Sequence, residues 1–506
     1  MRRHSTDGLR RIFFSTEARA RRASKLKQRT LVDVTIDSLD FHGNGVGHDT
    51  TSNALCTVVN AIPGQRWKGR VVNDRCDPVR VVGMELLQQS ENYMTPSCPH
   101  FNDCGGCKTQ HLPYKLQAQA KESAVHSLLQ PYSSNNTSID KAVSTLHYRN
   151  KTEFTVSAGR WLTKYDQEGL NRDQRPPFTI GFFPKSNGTS RKWDGRVVAI
   201  DKCLLQDSLA NRILEALWSI WPSTLPAYNF LDHTGFVRNI VLRIGTSSSG
   251  AKQAMIGFST STLSETMAPI VPLLLEALKP SDASLVTSIV QFVDEEMQRR
   301  EPSSQSTTVL HGEPYILDTI LGCTFRISLR AFFQPNTAMA TVLYAHLVDI
   351  VASHETPPVV WDLFCGVGSI GICLAKHARQ VVGIELIPEA VVDAKYNAEF
   401  NGVQDKTTFV CADVLADSGV ATLAGMPRPD VVIVDPPRPG LSAPLISFLC
   451  DNIAPEEIIY VSCNPLTQAR DLERMSQKYY FEWSKPVDML PHTPHVENIV
   501  RLYRRK

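Results

Sequence analysis

The sequence predicts a multidomain α/β protein in three structured parts. Three observations carry this. Residues from about 31 to 88 alternate apolar and polar over short runs, as small strands do. A second β-rich stretch fills the middle of the chain. From about residue 340, strand-like apolar runs alternate with helical stretches, the pattern of a doubly wound sheet. At 506 residues the chain exceeds one small domain, and 42% hydrophobic with 21% charged residues describes a chain that can bury a sizeable core. The formal net charge is only +2, so a nucleic-acid partner would be met by local basic patches and not by a global field. No apolar run is long enough to cross a bilayer, and no membrane partner is expected. Twelve cysteines at this length are too sparse for a secreted disulfide scaffold and point to metal-binding or catalytic thiols.

Residues 1–30 form a basic arm, rich in arginine against only Asp7 and Glu17. Arg10-Arg11-Ile12-Phe13-Phe14-Ser15 mixes arginine, aromatics and serine as organelle transit peptides do. The expected location is mitochondrial or plastid, and cytoplasmic otherwise. The alternative is a basic arm that touches RNA phosphates.

Residues 31–90 come next. Val32, Val34 and Ile36 read as one strand, and Leu55, Thr57 and Val59 as another, with Gly43, Gly45 and Gly47 in the turn between them. Val71-Val72 and Val79 to Val82 continue the pattern. This is an OB-like β-barrel module, a fold that often binds single-stranded nucleic acid. Residues 91–320 are expected to form a central β-rich domain. Leu116 to Leu129 has helical spacing there, and Tyr148–Val156, Thr179–Phe183 and Val237–Ile244 read as strands. Pro131–Ile139, Gly245–Gly250 and Pro302–Thr308 read as loops. Residues 321–506 carry strands at Val359–Leu363, Val381–Glu385, Thr408–Cys411, Asp430–Asp435 and Ile458–Val461.

Chemistry-bearing motifs sit at the ends of those last strands. Val359 to Leu363 runs into Gly366, Gly368 and Gly371, where glycines let backbone approach a ligand. That loop fits a dinucleotide fold as well as a methyltransferase fold. Glu385 closes the next strand, where an acid would hold ribose hydroxyls, and Asp413 closes the third. Asp435-Pro436-Pro437-Arg438 ends the fourth. Cys463, in Ser462-Cys463-Asn464-Pro465, ends the fifth and is favoured as a nucleophile over Cys365, which reads as packing behind the cofactor. Glu497, in Pro491-His492-Thr493-Pro494-His495-Val496-Glu497, offers a base, with His492 and His495 as alternatives. A thiol, a carboxylate and a nucleoside-cofactor loop suit methylation of a pyrimidine at carbon 5 from S-adenosylmethionine. A thiolate adding at carbon 6 makes carbon 5 nucleophilic, and a base then removes the carbon-5 proton. Separately, Cys98, Cys104 and Cys107 lie within ten residues around Gly105-Gly106. Cys203 is the best distant fourth ligand, for zinc or an iron–sulfur cluster. Arg149, Lys151, Arg238 and Arg243 are candidates to line an RNA path.

The S-C-N-P, D-P-P-R and P-H-T-x-H-x-E motifs, in this order with the cysteine cluster, resemble the RNA 5-methyluridine methyltransferase family. The likeness is to the iron–sulfur branch that acts on 23S-type ribosomal RNA, over residues 31–503. The resemblance implies an N-terminal TRAM domain, a central domain with a [4Fe-4S] cluster on Cys98, Cys104, Cys107 and Cys203, and a Rossmann-like methyltransferase domain. It implies that residues 109–143 pack with that catalytic domain. It implies Cys463 as nucleophile and Glu497 as base, and S-adenosyl-L-methionine held by Gln334, Phe364, Ser369, Glu385, Asp413 and Asp435. The expected partner is RNA, ribosomal or transfer, and the expected state a monomer. The reading from another class is an iron–sulfur RNA-binding protein without catalysis, against which the intact Cys463 and Glu497 argue.

Overall fold

The computed structural model describes residues 26–132, 135–163, 177–186, 195–293, 306–414 and 417–506. The basic arm lies almost wholly outside these residues, as do residues 302–305 of the expected Pro302–Thr308 loop.

Five strands, β1 (Leu31–Leu39), β2 (Gly45–Asp49), β3 (Leu55–Val58), β4 (Arg66–Asn73) and β5 (Val79–Gln88), close a barrel in the order β1-β2-β3-β5-β4. Val32, Val34 and Ile36 face its interior with Cys56, Val58, Val71 and Val81. Two expectations need correction. Gly45 and Gly47 belong to β2 and not to a turn, pairing with Leu39 and Ile36 of β1, and at Gly47 a Cβ would lie 1.8 Å from the Thr35 carbonyl oxygen. On β3 the inward residues are Cys56 and Val58, so Leu55 and Thr57 take the outer face. A one-residue change of phase swaps the faces of a strand, and a four-residue strand offers little pattern to fix it.

The middle of the chain opens with α1 (Tyr114–Leu129). It then builds a seven-stranded sheet from β6 (Lys151–Ser157), β7 (Thr179–Phe182), β8 (Val198–Ala199), β9 (Val237–Thr246), β10 (Lys252–Thr260), β11 (Val286–Val293) and β12 (Thr307–Gly312), ordered β12-β11-β10-β9-β6-β7-β8. Residues 307–308 of the expected loop are therefore strand. Helices α2 (Ser208–Ile220) and α3 (Ile270–Ala277) cover one face, burying Leu209, Ile213, Leu217, Ile270 and Leu274. A hairpin of β13 (Tyr315–Ile320) and β14 (Cys323–Ser328) straddles residue 321.

The C-terminal part alternates α4 (Thr337–Ala352), β15 (Val359–Leu363), α5 (Ser369–Leu374), β16 (Gln380–Glu385), α6 (Pro388–Phe400), β17 (Thr407–Cys411), α7 (Asp417–Ala424), β18 (Val431–Val434), α8 (Ala443–Ser447), β19 (Glu457–Ser462) and α9 (Pro465–Met475). It ends with β20 (Tyr479–Val487) and β21 (Glu497–Arg504). The sheet order is β17-β16-β15-β18-β19-β21-β20; the first five strands are parallel and β21 runs antiparallel to both neighbours. The order reverses between β15 and β18. That is a topological switch point, where ligands bind beyond the carboxyl ends of the strands. Helix α1, although early in the chain, packs here. Val125, Leu128 and Leu129 share an apolar cluster with Trp361, Leu363, Val434 and Tyr460. Among the described residues no helix is long and apolar enough to cross a membrane.

Candidate active site

The switch-point crevice is built from backbone first. Beyond β15, Phe364 takes φ +67°, and Gly366 and Gly368 take +55° and +78°. Phe364 is thus a bulky residue held in the left-handed region, a strain that persists only when its surroundings fix it. Glu385, ending β16, accepts from the amides of Gly366 at 2.9 Å, Leu386 at 2.8 Å and Ile387 at 2.9 Å. These bonds clamp the glycine loop to the second strand. Ser369 opens α5, its hydroxyl 2.9 Å from Tyr344 of α4. Asp413 follows β17 at the same edge, half-buried.

Asp435 follows β18. Burial pushes its carboxyl up to about 7. Gln334 Nε2 is 3.5 Å from Asp435 Oδ2, and Asn150 fixes the Gln334 backbone by donating to its carbonyl at 2.8 Å. Asp362 is also pushed to about 7, mainly by burial. Its Oδ2 accepts from Gly371 N at 2.9 Å, while Oδ1 has no hydrogen-bond partner among the described residues. Asp362 thus keeps one buried carboxyl oxygen without a partner among the described residues.

The second half of the site comes from strand register. Ser462 of β19 pairs with Asn498 of β21, which sets Cys463 beside Glu497 at the same end of the sheet. Burial raises the Cys463 thiol to about 12; Glu497 and Asp435 raise it further and Arg438 opposes them. Burial likewise lifts Glu497 to about 8, with Asp435 adding and Arg438 opposing. Arg438 is thus the cation that faces both groups. Its loop is tied to the cysteine loop, since Asn464 Nδ2 and Thr467 Oγ1 each donate to the Arg438 carbonyl at 3.1 Å. Glu497 is buried, not a surface residue, and its Oε2 has no partner among the described residues.

The competing groups are differently placed. Cys365 is buried in the main core cluster, and burial raises its thiol well above the ordinary value. His492 Nδ1 lies 3.1 Å from the Gln117 amide, and His495 Nε2 lies 3.2 Å from Arg438 Nη2. Arginine can only donate, so His495 accepts through Nε2 and carries its proton on Nδ1. Burial lowers both imidazoles to about 4.

The four candidates for an RNA path separate. Arg243 is buried and donates to the carbonyls of Leu329, at 3.1 Å, and Ala331. Arg238 is buried, its guanidinium 4.5 Å above the Tyr228 ring. These two brace the protein and do not line a surface, because a buried guanidinium needs fixed acceptors or an aromatic face. Lys151 is half-buried and lowered to about 8 by burial and then by Arg243. Arg149 borders the cavity described next.

Cys98, Cys104, Cys107 and Cys203 all line one cavity of about 420 Å³. All four thiols are free. Gly106 N donates to Cys104 Sγ at 3.4 Å and Gln110 Nε2 to Cys107 Sγ at 3.3 Å. Asn211 of α2 holds the Cys203 backbone from both sides, at 2.9 and 3.0 Å. Burial raises Cys104 and Cys107 to about 12. Among the described residues, no three His, Cys, Asp or Glu side chains converge closely enough for a single metal ion.

Sequence reading missed the framing side chains. Arg438 was visible only as the end of D-P-P-R. The Tyr344–Ser369 contact and the buried Lys121–Asp488 pair, at 2.6 Å, had no local signal.

The chain is similar to known proteins over most of its length. The profile of the family described as tRNA (Uracil-5-)-methyltransferase matches residues 320–505. An uncharacterized RNA methyltransferase of Protochlamydia amoebophila is 33% identical over 439 residues, covering 83% of this chain and 93% of its own. One from Porphyromonas gingivalis is 32% identical over 468 residues, covering 89% and 97%. The crystal structure of Pyrococcus abyssi tRNA (uracil-54, C5)-methyltransferase in complex with S-adenosyl-L-homocysteine superposes with a TM-score of 0.68 at 25% identity. The match covers 93% of this chain and 99% of that one.

Proposed function

Because the chain belongs to the RNA (uracil-5-)-methyltransferase family, we propose that Cys463 and Glu497 carry out its reaction on a uridine of a structured RNA through a covalent adduct. The observation that carries this reading is the β19–β21 register, which sets a thiol and a buried carboxylate side by side next to the Asp435–Arg438 loop. S-adenosylmethionine supplies the methyl group as an electrophile. The residues that would hold it are Gln334, Phe364, Ser369, Glu385, Asp413 and Asp435.

The protein's own groups do the rest. A uridine in a duplex or loop stack must turn outward to reach a half-buried thiol. Cys463 stays protonated in the RNA-free protein, because burial opposes the thiolate. On occupation of the site the Cys463 thiol and the Glu497 carboxyl each release their proton to solvent, with Arg438 stabilising both anions, and the sulfur adds at carbon 6. Carbon 5 then takes the methyl group. Glu497 removes the carbon-5 proton, and the electron pair of that C–H bond forms the 5,6 double bond as the thiolate leaves. His492 and His495 each spend one ring nitrogen as an acceptor and carry the proton on the other, so neither offers a free base.

The RNA is ribosomal in the reading that follows the cysteine motif. The family description and the Pyrococcus neighbour favour transfer RNA as the second reading. The cavity around Cys98, Cys104, Cys107 and Cys203 is read as the seat of a [4Fe-4S] cluster that shapes the central domain. The test is incubation of the full chain with methyl-tritiated S-adenosylmethionine and separated rRNA and tRNA fractions, followed by nucleoside analysis. Tritium in 5-methyluridine of one fraction supports the reading and names the substrate class. Tritium in another nucleoside, or none, refutes it.

A further inference from the structure

The segment that leads into Glu497 is suspended mainly from residues remote from it in sequence. Each carbonyl from 489 to 492 has a side-chain or backbone donor outside the loop. Asn336 Nδ2 donates to Met489 at 2.9 Å, Lys121 Nζ to Leu490 at 3.1 Å, Tyr148 Oη to Pro491 at 3.0 Å, and Lys108 N to His492 at 2.8 Å. Thr109 N adds a second bond to His492 at 3.2 Å. His492 itself sits at φ +64°, a left-handed conformation that a β-carbon disfavours. Something must hold it there.

Gln117 of α1 is that holder. It is buried and uses its whole amide. Its Oε1 accepts from Thr109 Oγ1 and from His492 N, each at 3.0 Å. Its Nε2 donates to the Leu112 carbonyl at 2.7 Å and to His492 Nδ1 at 3.1 Å. An amide with two donors and two principal acceptor directions is saturated by these four bonds. They grip His492 at both backbone and ring, and only the tautomer with a bare Nδ1 fits. Lys121, one turn further along α1, closes a buried ion pair with Asp488 at 2.6 Å, at the other end of the same loop.

We propose that Gln117 is a positioning residue for the proton-removal step: through His492 it fixes the 488–497 loop and so aims Glu497, while the Cys463 loop, anchored separately on β19 and α9, does not depend on it. This rests on the reading of Glu497 as the base. The division has a kinetic signature. Thiol addition and methyl transfer should survive loss of the grip, and release should not, since a small displacement of a catalytic group can cost about 100-fold in rate.

The test compares the full-length Gln117→Met variant with wild type and with Glu497→Gln. For Gln117→Met we expect single-turnover methyl transfer within about twofold of wild type, kcat lowered by about 10- to 100-fold, and KM for RNA falling in step so that kcat/KM stays unchanged. A methylated covalent protein–RNA adduct should accumulate on ordinary uridine. Amide exchange over residues 488–497 should speed up with no RNA present, and ¹⁵N-histidine spectra should show His492 losing its single tautomer. Thr109→Val deletes only one of the four bonds and should move exchange and adduct level the same way by less, which keeps the test open if Gln117→Met does not fold. Equal slowing of methyl transfer and release overturns the proposal, as does unchanged exchange over 488–497. Adduct in Glu497→Gln but not in the Gln117 or Thr109 variants overturns it alone and leaves the base assignment standing. Absence of adduct in Glu497→Gln removes the base assignment and this proposal with it.

Discussion

Replacing Glu497 by glutamine should make the protein more stable, by an amount that depends on pH. The carboxyl is buried, and burial, reinforced by Asp435, lifts it from 4.5 to about 8. One pKa step corresponds to about 1.4 kcal/mol, so the full displacement is worth roughly 5 kcal/mol. The sign follows from linkage. The folded state keeps the proton between pH 4.5 and about 8 while the unfolded chain releases it, so wild-type stability falls as pH rises through that window. Glutamine has the shape of the protonated acid and no proton to lose. The variant should match wild type near pH 4, exceed it by roughly 3 kcal/mol at pH 7, and by roughly 5 kcal/mol above pH 8. The assay is urea unfolding of both full-length proteins from pH 4 to pH 9, without RNA, following the transition of the catalytic domain. Parallel stability profiles would show that Glu497 ionises at an ordinary value and would refute the electrostatic reading of the site. A base kept poised at a cost in stability is the expected trade at a catalytic centre.

Three further outcomes follow from the same geometry. Arg438→Met removes the cation that opposes the upward shifts of Cys463 and Glu497, so the pH–rate profile of methylation should move to higher pH; an unmoved profile would count against that role. Anaerobic preparation of the full chain should give a brown protein with about four irons per chain, and Cys203→Ser should lose the colour and RNA affinity before single-turnover chemistry; stoichiometric zinc without iron would contradict the cluster. A fluorescent protein fused behind residues 1–35 should enter mitochondria or plastids, and diffuse cytosolic fluorescence would refute the address.

The parallel half of the catalytic sheet was legible because buried parallel strands read as apolar runs bounded by Gly and Pro. Val359–Leu363 and Ile458–Val461 have that form, and the motif residues follow their carboxyl ends. β20 and β21 gave no such signal. β20 carries Glu482, Lys485 and Pro486, and β21 begins on Glu497, so neither reads as an apolar run. Missing them left Glu497 without a partner strand, although that pairing is what sets it beside Cys463. Arg243 was misjudged because its acceptors, Leu329 and Ala331, lie 86 and 88 residues away. The Gln117–His492 contact spans 375 residues. A glutamine in an amphipathic helix looks like a solvated residue until the fold brings in its partners, and no local spacing encodes them.

The most direct measurement is made on RNA carrying 5-fluorouridine in place of uridine. Fluorine at carbon 5 cannot leave as a proton does, so the adduct formed by the attacking sulfur should survive denaturation once the methyl group has been transferred. Peptide mapping of the wild-type complex should place the modified nucleotide on Cys463, and Cys463→Ala should form no complex while retaining its fold. A trapped complex in Cys463→Ala, or a nucleotide mapped to Cys365 or any other residue, would contradict the account at its centre.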